Sequence, residues 1–260
     1  QSTSDYVKAL TDSDLARGLK DGSLTFSWSE ARVIHDSPLM EDLKTAGCDK
    51  LLISQLAPYI TGAKKTVDIV SPYFVPGDRA TEALCKLSQD GVKVRILTNS
   101  LASNDVSAVH AGYSKYRRRL LRCGVRLFEL DESLKDRVGK MFTWLPGLAK
   151  SSLHAKTMVF DGEIMFVGSF NFDQRSAHLN TEMGLVMDSP SAAKQLADAF
   201  ETEAPDIAYE VRIAPDGANL QWVERTPSGG TVVYDVDPET TAWQRMQVGF
   251  LAGLPIDWLL

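Results

Sequence analysis

The sequence has no long apolar run. Although 44% of its 260 residues are hydrophobic, no uninterrupted stretch approaches the roughly 18–20 residues of a membrane-spanning helix. A transmembrane helix is therefore not predicted, whereas the length suffices for one large domain, alone or with an extension. No signal peptide is recognised, and because the first residue is Gln1 we expect a trimmed piece of a longer protein.

Cysteine is scarce. Cys48, Cys85 and Cys123 are the only three, and none belongs to a C-x-x-C pattern. The odd number and the wide spacing argue against a disulfide framework and against a cysteine metal site. We therefore expect buried free thiols in a reducing compartment.

An excess of positive charge is also missing. The net charge of −6 argues against a protein that binds nucleic acid through its overall charge, although a local basic patch remains possible. One candidate patch is "KYRRRLLR", Lys115 to Arg122, which places five basic residues on one predicted helix. This helix face could simply be solvated, or it could attract anionic lipid headgroups.

Strand-like and helix-like segments alternate along the chain. Apolar strands are predicted at 65–78, 92–100 and 125–130, with helical spacing in the segments between them and glycine stops at Gly91 and Gly124. This order predicts an α/β fold with a mixed, mostly parallel sheet and helices on both faces, followed by a C-terminal hairpin and helix extension. We divide the chain into an inter-lobe or N-terminal segment (1–40), a catalytic lobe (41–205) and a C-terminal extension (206–260).

Polar residues interrupt two apolar runs, "LHAKTMVFDG" and "EIMFVGSFNFD", in a regular way. Asp161-Gly162 is a strong turn signal, so the runs predict a β-hairpin. Residues two apart on a strand share a face, which places His154 and Lys156 side by side, roughly 7 Å apart. Ser169 and Asn171 repeat this spacing on the returning segment, so four polar groups should converge at one end of the hairpin.

These residue types suit chemistry on a phosphodiester. A neutral imidazole can attack phosphorus and form a reactive phosphohistidine. The lysine ammonium, the asparagine amide and the serine hydroxyl can donate hydrogen bonds to the phosphate oxygens. Glu182, at the start of the next predicted strand, could hold the second ring nitrogen of His154. No metal-binding cluster is visible in the sequence, and we predict neither a metal nor a cofactor.

The full string H-x-K-x4-D-x6-G-S-x-N runs from His154 to Asn171 and is similar to the "HKD" signature of the phospholipase D superfamily. The segments 71–78, 97–121 and 168–186 resemble bacterial cardiolipin synthases, and the tail from Gln221 resembles the end of the C-type enzymes. The resemblance implies a phospholipase D-like lobe, a phosphohistidine intermediate and a structural, hydrogen-bonding role for Asp161. It also implies that Glu182 steadies His154.

The family carries two such motifs in one polypeptide, one in each lobe, with the active site at their junction. This sequence has one motif, because His35, His110 and His178 lack a lysine two residues later. It therefore resembles the C-terminal lobe, with an N-terminal lobe missing. His154 is then either the nucleophile or the general acid that protonates the leaving alcohol, and the isolated chain should be inactive as a monomer.

Further residues could line the substrate groove. The candidates are Tyr73, Asn99, His110, Tyr113 and Arg175. Each has a plainer alternative: Tyr73 could be a buried core residue, and Arg175 could cap a loop with Asn180. The apolar loop 138–150 could be a lid, a binding loop or a membrane contact. The apolar C-terminal segment, with Trp243, Phe250, Leu254, Ile256 and Trp258, could face the missing lobe or lie in a membrane interface.

Together these features predict a cardiolipin synthase-like phosphatidyltransferase that acts on phospholipids. The alternatives are a phospholipase D or nuclease that uses water as acceptor, and a non-catalytic lobe that binds anionic lipid. The expected partners are the phospholipid substrate, the N-terminal lobe and a membrane surface, with a homodimer possible and no nucleic acid. The resemblance implies a peripheral position on the cytoplasmic face of the bacterial cytoplasmic membrane.

Overall fold

The computed structural model describes residues 7, 11, 13–23, 28–37, 51–104, 106–130, 148–149, 152–226 and 228–254. The chain divides into two compact units, Gln1–Glu30 and Ala31–Leu260. The first unit contains helix α1 (Asp14–Asp21). The Ser13 side chain caps this helix by accepting a hydrogen bond from the Ala16 N–H, which satisfies one of the free donors of the first turn.

Among the described residues, ten strands form one sheet and two short strands form a separate pair. The spatial order of the sheet is β1-β9-β8-β7-β2-β3-β4-β10-β11-β12, and β5 pairs with β6. In chain order the strands are β1 (Glu30–His35), β2 (Thr66–Val70), β3 (Lys93–Asn99), β4 (Arg126–Leu130), β5 (Leu148–Ala149), β6 (Ser152–Leu153), β7 (Thr157–Phe160), β8 (Ile164–Gly168), β9 (Met183–Asp188), β10 (Ala208–Ile213), β11 (Leu220–Arg225) and β12 (Thr231–Tyr234).

The balance of strand directions differs from the prediction. β2, β3 and β4 are parallel, but β7, β8, β9, β10, β11 and β12 join through antiparallel pairs. The sheet is therefore mixed and mostly antiparallel. Hairpins join β7 to β8, β10 to β11 and β11 to β12, whereas helical crossovers connect the parallel strands β2, β3 and β4. The α/β class and the C-terminal hairpin are confirmed, whereas β10 was not predicted.

Helices cover both faces of this sheet, as predicted. They are α2 (Leu52–Gly62), α3 (Gly77–Gln89), α4 (Ser107–Arg122), α5 (Gln174–His178), α6 (Pro190–Thr202), α7 (Ala204–Ile207) and α8 (Ala242–Ala252). Successive residues of a strand point to opposite faces, and β2 shows this directly. Val67 and Ile69 join the core beneath α2, α3 and α4, whereas Val70 joins the core beneath α6 and α7.

The expectation of free thiols is wrong for one pair of cysteines. Cys85 of α3 and Cys123, directly after α4, form a disulfide across a Cα–Cα distance of 5.2 Å. The two helices pack side by side on one face of the sheet, which brings together residues 38 positions apart. Disulfides persist mainly in oxidising compartments, so the cysteines give no support to a reducing one. Cys48 lies outside the described residues.

The segment after residue 205 extends the same sheet. β10 pairs with β4, β11 and β12 follow as antiparallel neighbours, and α8 packs on α4. A capping box between Thr241 and Gln244 begins α8, because each residue satisfies a free polar group of the other. The proposed divisions at residues 40 and 205 stay predictions. Within the described ranges, no helix combines the length and the apolar character that crossing a membrane requires.

Candidate active site

The chain segments that carry His154, Lys156, Ser169 and Asn171 meet at one end of the sheet, whereas Asp161 lies in the hairpin turn at the other end. Val70, the last residue of β2, pairs with Thr157, the first of β7, because these strands run antiparallel. Thr157 in turn pairs with Val167 near the end of β8. Segments that are distant in sequence therefore meet where β2, β3 and β8 end and where β7 and β9 begin.

His154 and Lys156 lie just before β7 rather than on it. The strand begins at Thr157, so the prediction that both residues belong to the strand is wrong by one to three positions. Their alternation nevertheless persists, because His154 is exposed while Leu153 and Ala155 are buried. The Lys156 ammonium donates a hydrogen bond to the carbonyl of His154 at 3.0 Å. That the two side chains project side by side stays a prediction.

The Lys156 ammonium is only partly exposed to water. Desolvation lowers the pKa of Lys156 below its ordinary value, and the nearby Glu182 and Asp173 carboxylates offset part of that shift. An ammonium that has lost part of its hydration shell interacts more strongly with an anion that approaches it. This environment suits a phosphate-binding lysine.

Gly168 and Gly184 permit a close approach of β8 and β9. They face each other across the two strands, and a Cβ on Gly168 would lie 2.5 Å from the carbonyl oxygen of Met183 and 2.8 Å from the Phe166 ring. A larger residue would therefore push the strands apart. The motif glycine thus sets the position of Ser169, whose N–H donates to the Met183 carbonyl at 2.9 Å.

The buried Glu182 carboxylate binds Ser169 and Asn180. The Ser169 hydroxyl donates to one carboxylate oxygen, and the Asn180 amide donates to the other at 3.1 Å. The hydrogen bonds described for Glu182 do not include the His154 ring, so the predicted contact between the two is not formed here. The carboxylate lies close enough to act on the Lys156 charge. Its role toward His154 stays a prediction.

Asn171 stands between two buried phenylalanines. Phe170 and Phe172 anchor the segment in the core. The backbone of Phe172 accepts from the Val75 N–H at 2.8 Å and donates to the Ser71 hydroxyl at 3.0 Å. Among the described residues, the buried Asn171 Oδ1 has no hydrogen-bond partner. A side chain so placed has capacity left for a ligand.

The other predicted groove residues divide into two groups. Tyr73 lies in the loop after β2 that pairs with Phe172, and its side chain packs partly buried against the core. The Asn99 side chain exchanges hydrogen bonds with the backbone of Leu153, at 3.2 and 3.4 Å, and so fixes the residue before His154. Arg175 is exposed and donates to Asn180, which agrees with the loop-capping alternative.

His110 and Tyr113 belong to a different, buried cluster. The His110 Nε2 lies 3.5 Å from Asp237, and its ring packs edge-on against Tyr113. Glu129 completes a set of three potential metal ligands, whose ligand atoms lie within 4.8 Å of one another. However, the Arg117 Nη1 lies 3.1 Å from Glu129 and 2.9 Å from Asp237. The guanidinium already supplies positive charge there, so a metal ion would have to displace it.

Sequence reasoning missed two buried carboxylates near the motif. Asp36, after β1, accepts from the N–H of Leu52 at 2.6 Å and from the N–H of Glu182 at 2.7 Å. It thereby fixes the start of β9 relative to α2. Asp173 caps α5 by accepting from the Ser176 N–H, and burial raises the pKa of Asp173. Of these two carboxylates, Asp173 alone had a local sequence signal, because an aspartate directly before a helix commonly caps it. The apolar loop from Val138 to Lys150, predicted as a lid, a binding loop or a membrane contact, lies outside the described residues except for β5.

Asp161 lies in the hairpin turn, three residues before the returning strand β8 begins at Ile164. Its carboxylate accepts from the backbone N–H groups of Lys64, Lys65 and Thr66, at 2.6 to 3.0 Å. Partial burial would raise the pKa of Asp161, but these three donors outweigh it and hold the pKa below its usual range. Asp161 therefore joins the hairpin turn to the start of β2.

We expect Asp161→Ala to lower the free energy of unfolding by roughly 1.5–3 kcal/mol, because three N–H donors lose a charged acceptor. Asp161 also has a φ of +58°, which alanine tolerates poorly. Its depressed pKa stabilises the fold above the unfolded pKa, and this stabilisation is lost as the pH falls through the folded pKa. Urea unfolding at several pH values measures both effects.

The control for that experiment is Glu163→Gln. Glu163 lies in the same turn, but its ion pair with Lys65 is exposed to solvent. Exposed pairs contribute little, so this variant should unfold close to the wild-type midpoint. Equal stability losses in the two variants would contradict the assigned role of Asp161.

Comparison with known proteins shows which family the chain belongs to. Residues 56–203 match the model described as cardiolipin synthase, phospholipase D-like domain. The chain is 37% identical to cardiolipin synthase C of Escherichia coli over 98% of its own length and 53% of that protein. It is 31% identical to cardiolipin synthase of Listeria monocytogenes over 60% of its length and 28% of that protein. The chain thus spans about half of the first relative.

A solved structure shows the same fold. Phosphatidylserine synthase of Haemophilus influenzae superposes with a TM-score of 0.50 at 13% identity, over 86% of this chain and 44% of that one. At this identity the likeness concerns the fold alone.

Proposed function

Because the chain belongs to the cardiolipin synthase family of phospholipase D-like domains, we propose that it is one catalytic lobe of a phosphatidyltransferase that works through a phosphohistidine. The observation that carries the proposal is the meeting of His154, Lys156, Ser169 and Asn171 at one end of the sheet. The family match supports phosphatidyl transfer as the type of reaction.

The first step would transfer the phosphatidyl group to a histidine. A ring nitrogen attacks phosphorus, an N–P bond forms, and the P–O bond to the headgroup alcohol breaks. The departing alkoxide takes a proton from a general acid on the opposite side of phosphorus. In the second step the hydroxyl of an acceptor lipid gives its proton to the group that acted as the acid, attacks phosphorus to form a new P–O bond, and the N–P bond breaks. His154 serves as the nucleophile or as the acid.

The neighbouring donors would stabilise the phosphate in both steps. Negative charge on the non-bridging oxygens needs donors placed before the reaction begins. The Lys156 ammonium supplies charge, and Asn171 can present its N–H2 group. Ser169 already donates to Glu182, so its part is to hold that carboxylate beside Lys156.

The test is a product assay on the longer polypeptide that we propose contains this chain. Labelled phosphatidylglycerol is supplied with and without phosphatidylethanolamine, and the lipids are separated. We expect the label in cardiolipin, since an alcohol acceptor is proposed. Label found only in phosphatidic acid would mean that water is the acceptor, and the proposal of phosphatidyl transfer would fail.

A further inference from the structure

Helix α8 carries apolar side chains on its outer face. Trp243, Met246 and Phe250 are 60%, 57% and 70% exposed, and Leu254 just beyond the helix is 37% exposed. Their spacing of three, four and four residues places them along one stripe of the helix. The opposite face packs on α4 through Val248. The exposed residues of the outer stripe are therefore not the ones that pack α8 against α4.

Helix α4 carries a basic stripe. Lys115 and Arg119 lie four residues apart, as do Arg118 and Arg122, so the four share one face of the helix, while Arg117 turns away and is buried with Glu129. With Lys86 of α3, the four line an open cavity of about 670 Å³. Glu82 is the one acidic residue among the lining residues, against five basic ones. The cavity therefore attracts anions.

Local carboxylates balance part of this positive charge. Arg119 forms ion pairs with Asp78 and Glu82, and Lys86 forms one with Asp90. Arg118 donates to the carbonyl of Ala218 and lies near enough to Asp216 to help lower the pKa of that carboxyl. Arg122 is exposed beside the cavity and forms no ion pair with any described residue. The charge of Arg122 is therefore the most available of the stripe.

The two stripes adjoin. The Lys115 ammonium donates to the carbonyl of Leu254 at 2.8 Å, so the first residue of the basic stripe touches the last residue of the apolar one. We propose that this combined surface docks on an anionic lipid bilayer, with Trp243, Met246 and Phe250 entering the interface and Arg118 and Arg122 binding headgroup phosphates.

Charge complementarity favours an anionic bilayer as the partner of this surface. Exposed apolar rows beside basic residues are the pattern of interfacial segments, which combine apolar burial with attraction to anionic lipids. A second copy would present the same positive stripe and would add repulsion. The proposal is independent of phosphatidyl transfer, because none of these residues belongs to the motif at the end of the sheet.

The test is sedimentation of the chain with vesicles of phosphatidylcholine that do or do not contain phosphatidylglycerol. We expect binding only with the anionic lipid, and weaker binding as salt rises. Arg118→Glu with Arg122→Glu should weaken binding about 30-fold or more, from the loss of two cations near the surface. Phe250→Ser should weaken it roughly tenfold, since a phenyl ring no longer enters the interface.

Matched controls lie elsewhere on the molecule. Lys194→Glu reverses an exposed charge on α6, on the opposite face of the sheet, and Val33→Ser removes an exposed apolar group at the far edge strand. Both should bind as the wild type does. Circular dichroism checks the folding of each variant. If the double charge reversal does not fold, the exposed Phe250 still provides the test.

Three results would overturn the proposal. The first is anionic-vesicle binding that is equal in the wild type, the double reversal and Phe250→Ser. The second is competition by inorganic phosphate beyond that of chloride at equal ionic strength, which would indicate a site for free anions. The third is a dimer, seen by light scattering, that Phe250→Ser dissociates while vesicles fail to bind, which would make this face an interface between copies.

Discussion

His154→Ala should abolish phosphatidyl transfer by the longer polypeptide, with a loss of at least about 10⁴-fold and no loss of folding. Removal of a nucleophile or of its acid partner costs rates on this scale in enzymes whose catalytic groups act together. The His154 side chain is exposed at the end of the sheet, and its buried neighbours, Leu153 and Ala155, hold the backbone. The substitution therefore removes chemistry and leaves the packing intact.

His178→Ala is the matched control. His178 is also an exposed histidine, on α5, but no lysine follows it at the motif spacing. This variant should retain transfer activity. Transfer is measured as cardiolipin formed per unit time, and unfolding curves verify that each variant is folded. A folded His154→Ala variant with activity near the wild-type level would remove His154 from the mechanism.

The same variant separates the two roles that remain open for His154. Labelled lipid phosphate can be trapped on the protein by rapid quenching in alkali, where phosphohistidine survives. If His154 is the nucleophile, His154→Ala should trap no label. If His154 is the acid instead, the label should still reach the other histidine, at a low rate. Either result keeps His154 in the reaction and assigns its function.

The hairpin could be predicted because its determinants are local. Alternating apolar residues predict strands, and Asp161-Gly162 predicts the turn, where both residues have positive φ in the structure. The same alternation agrees with the exposed position of His154 between the buried Leu153 and Ala155. The sequence did not predict that the strand begins at Thr157. The alternation of exposed and buried residues already starts before the first residue that pairs with a neighbouring strand.

Contacts that depend on distant segments were not predictable in this way. Asp36 reaches Glu182 across 146 residues, and nothing in the local sequence around Asp36 indicates it. Cys85 meets Cys123 only because α3 and α4 pack side by side. His110 has a helical position that could face the site, but Asp237, from the C-terminal segment, lies beside its ring. These features depend on the packing of distant segments, which the local patterns of a single sequence do not show.

The isolated chain should turn over phospholipid at trace rates at most while it is a monomer. Attack and departure at phosphorus are in line, so the nucleophile and the acid must stand on opposite sides of it. The motif at the end of this sheet supplies His154 from one side. The groups that remain, Lys156 and Asn171, can bind a phosphate oxygen but cannot protonate a leaving alcohol from the far side.

A symmetric pair of chains could restore activity without the second lobe that we propose. A two-fold axis would bring His154 of both copies across a single phosphorus, and activity per chain would then rise with protein concentration. Activity and molar mass by light scattering are therefore measured together over a concentration series. Adding excess His154→Ala chain should reduce the activity of the wild type, because each mixed pair lacks one histidine, whereas His178→Ala chain should not. Rapid turnover by a species that stays monomeric would show that one motif suffices, and the two-lobe account of this chain would then be wrong.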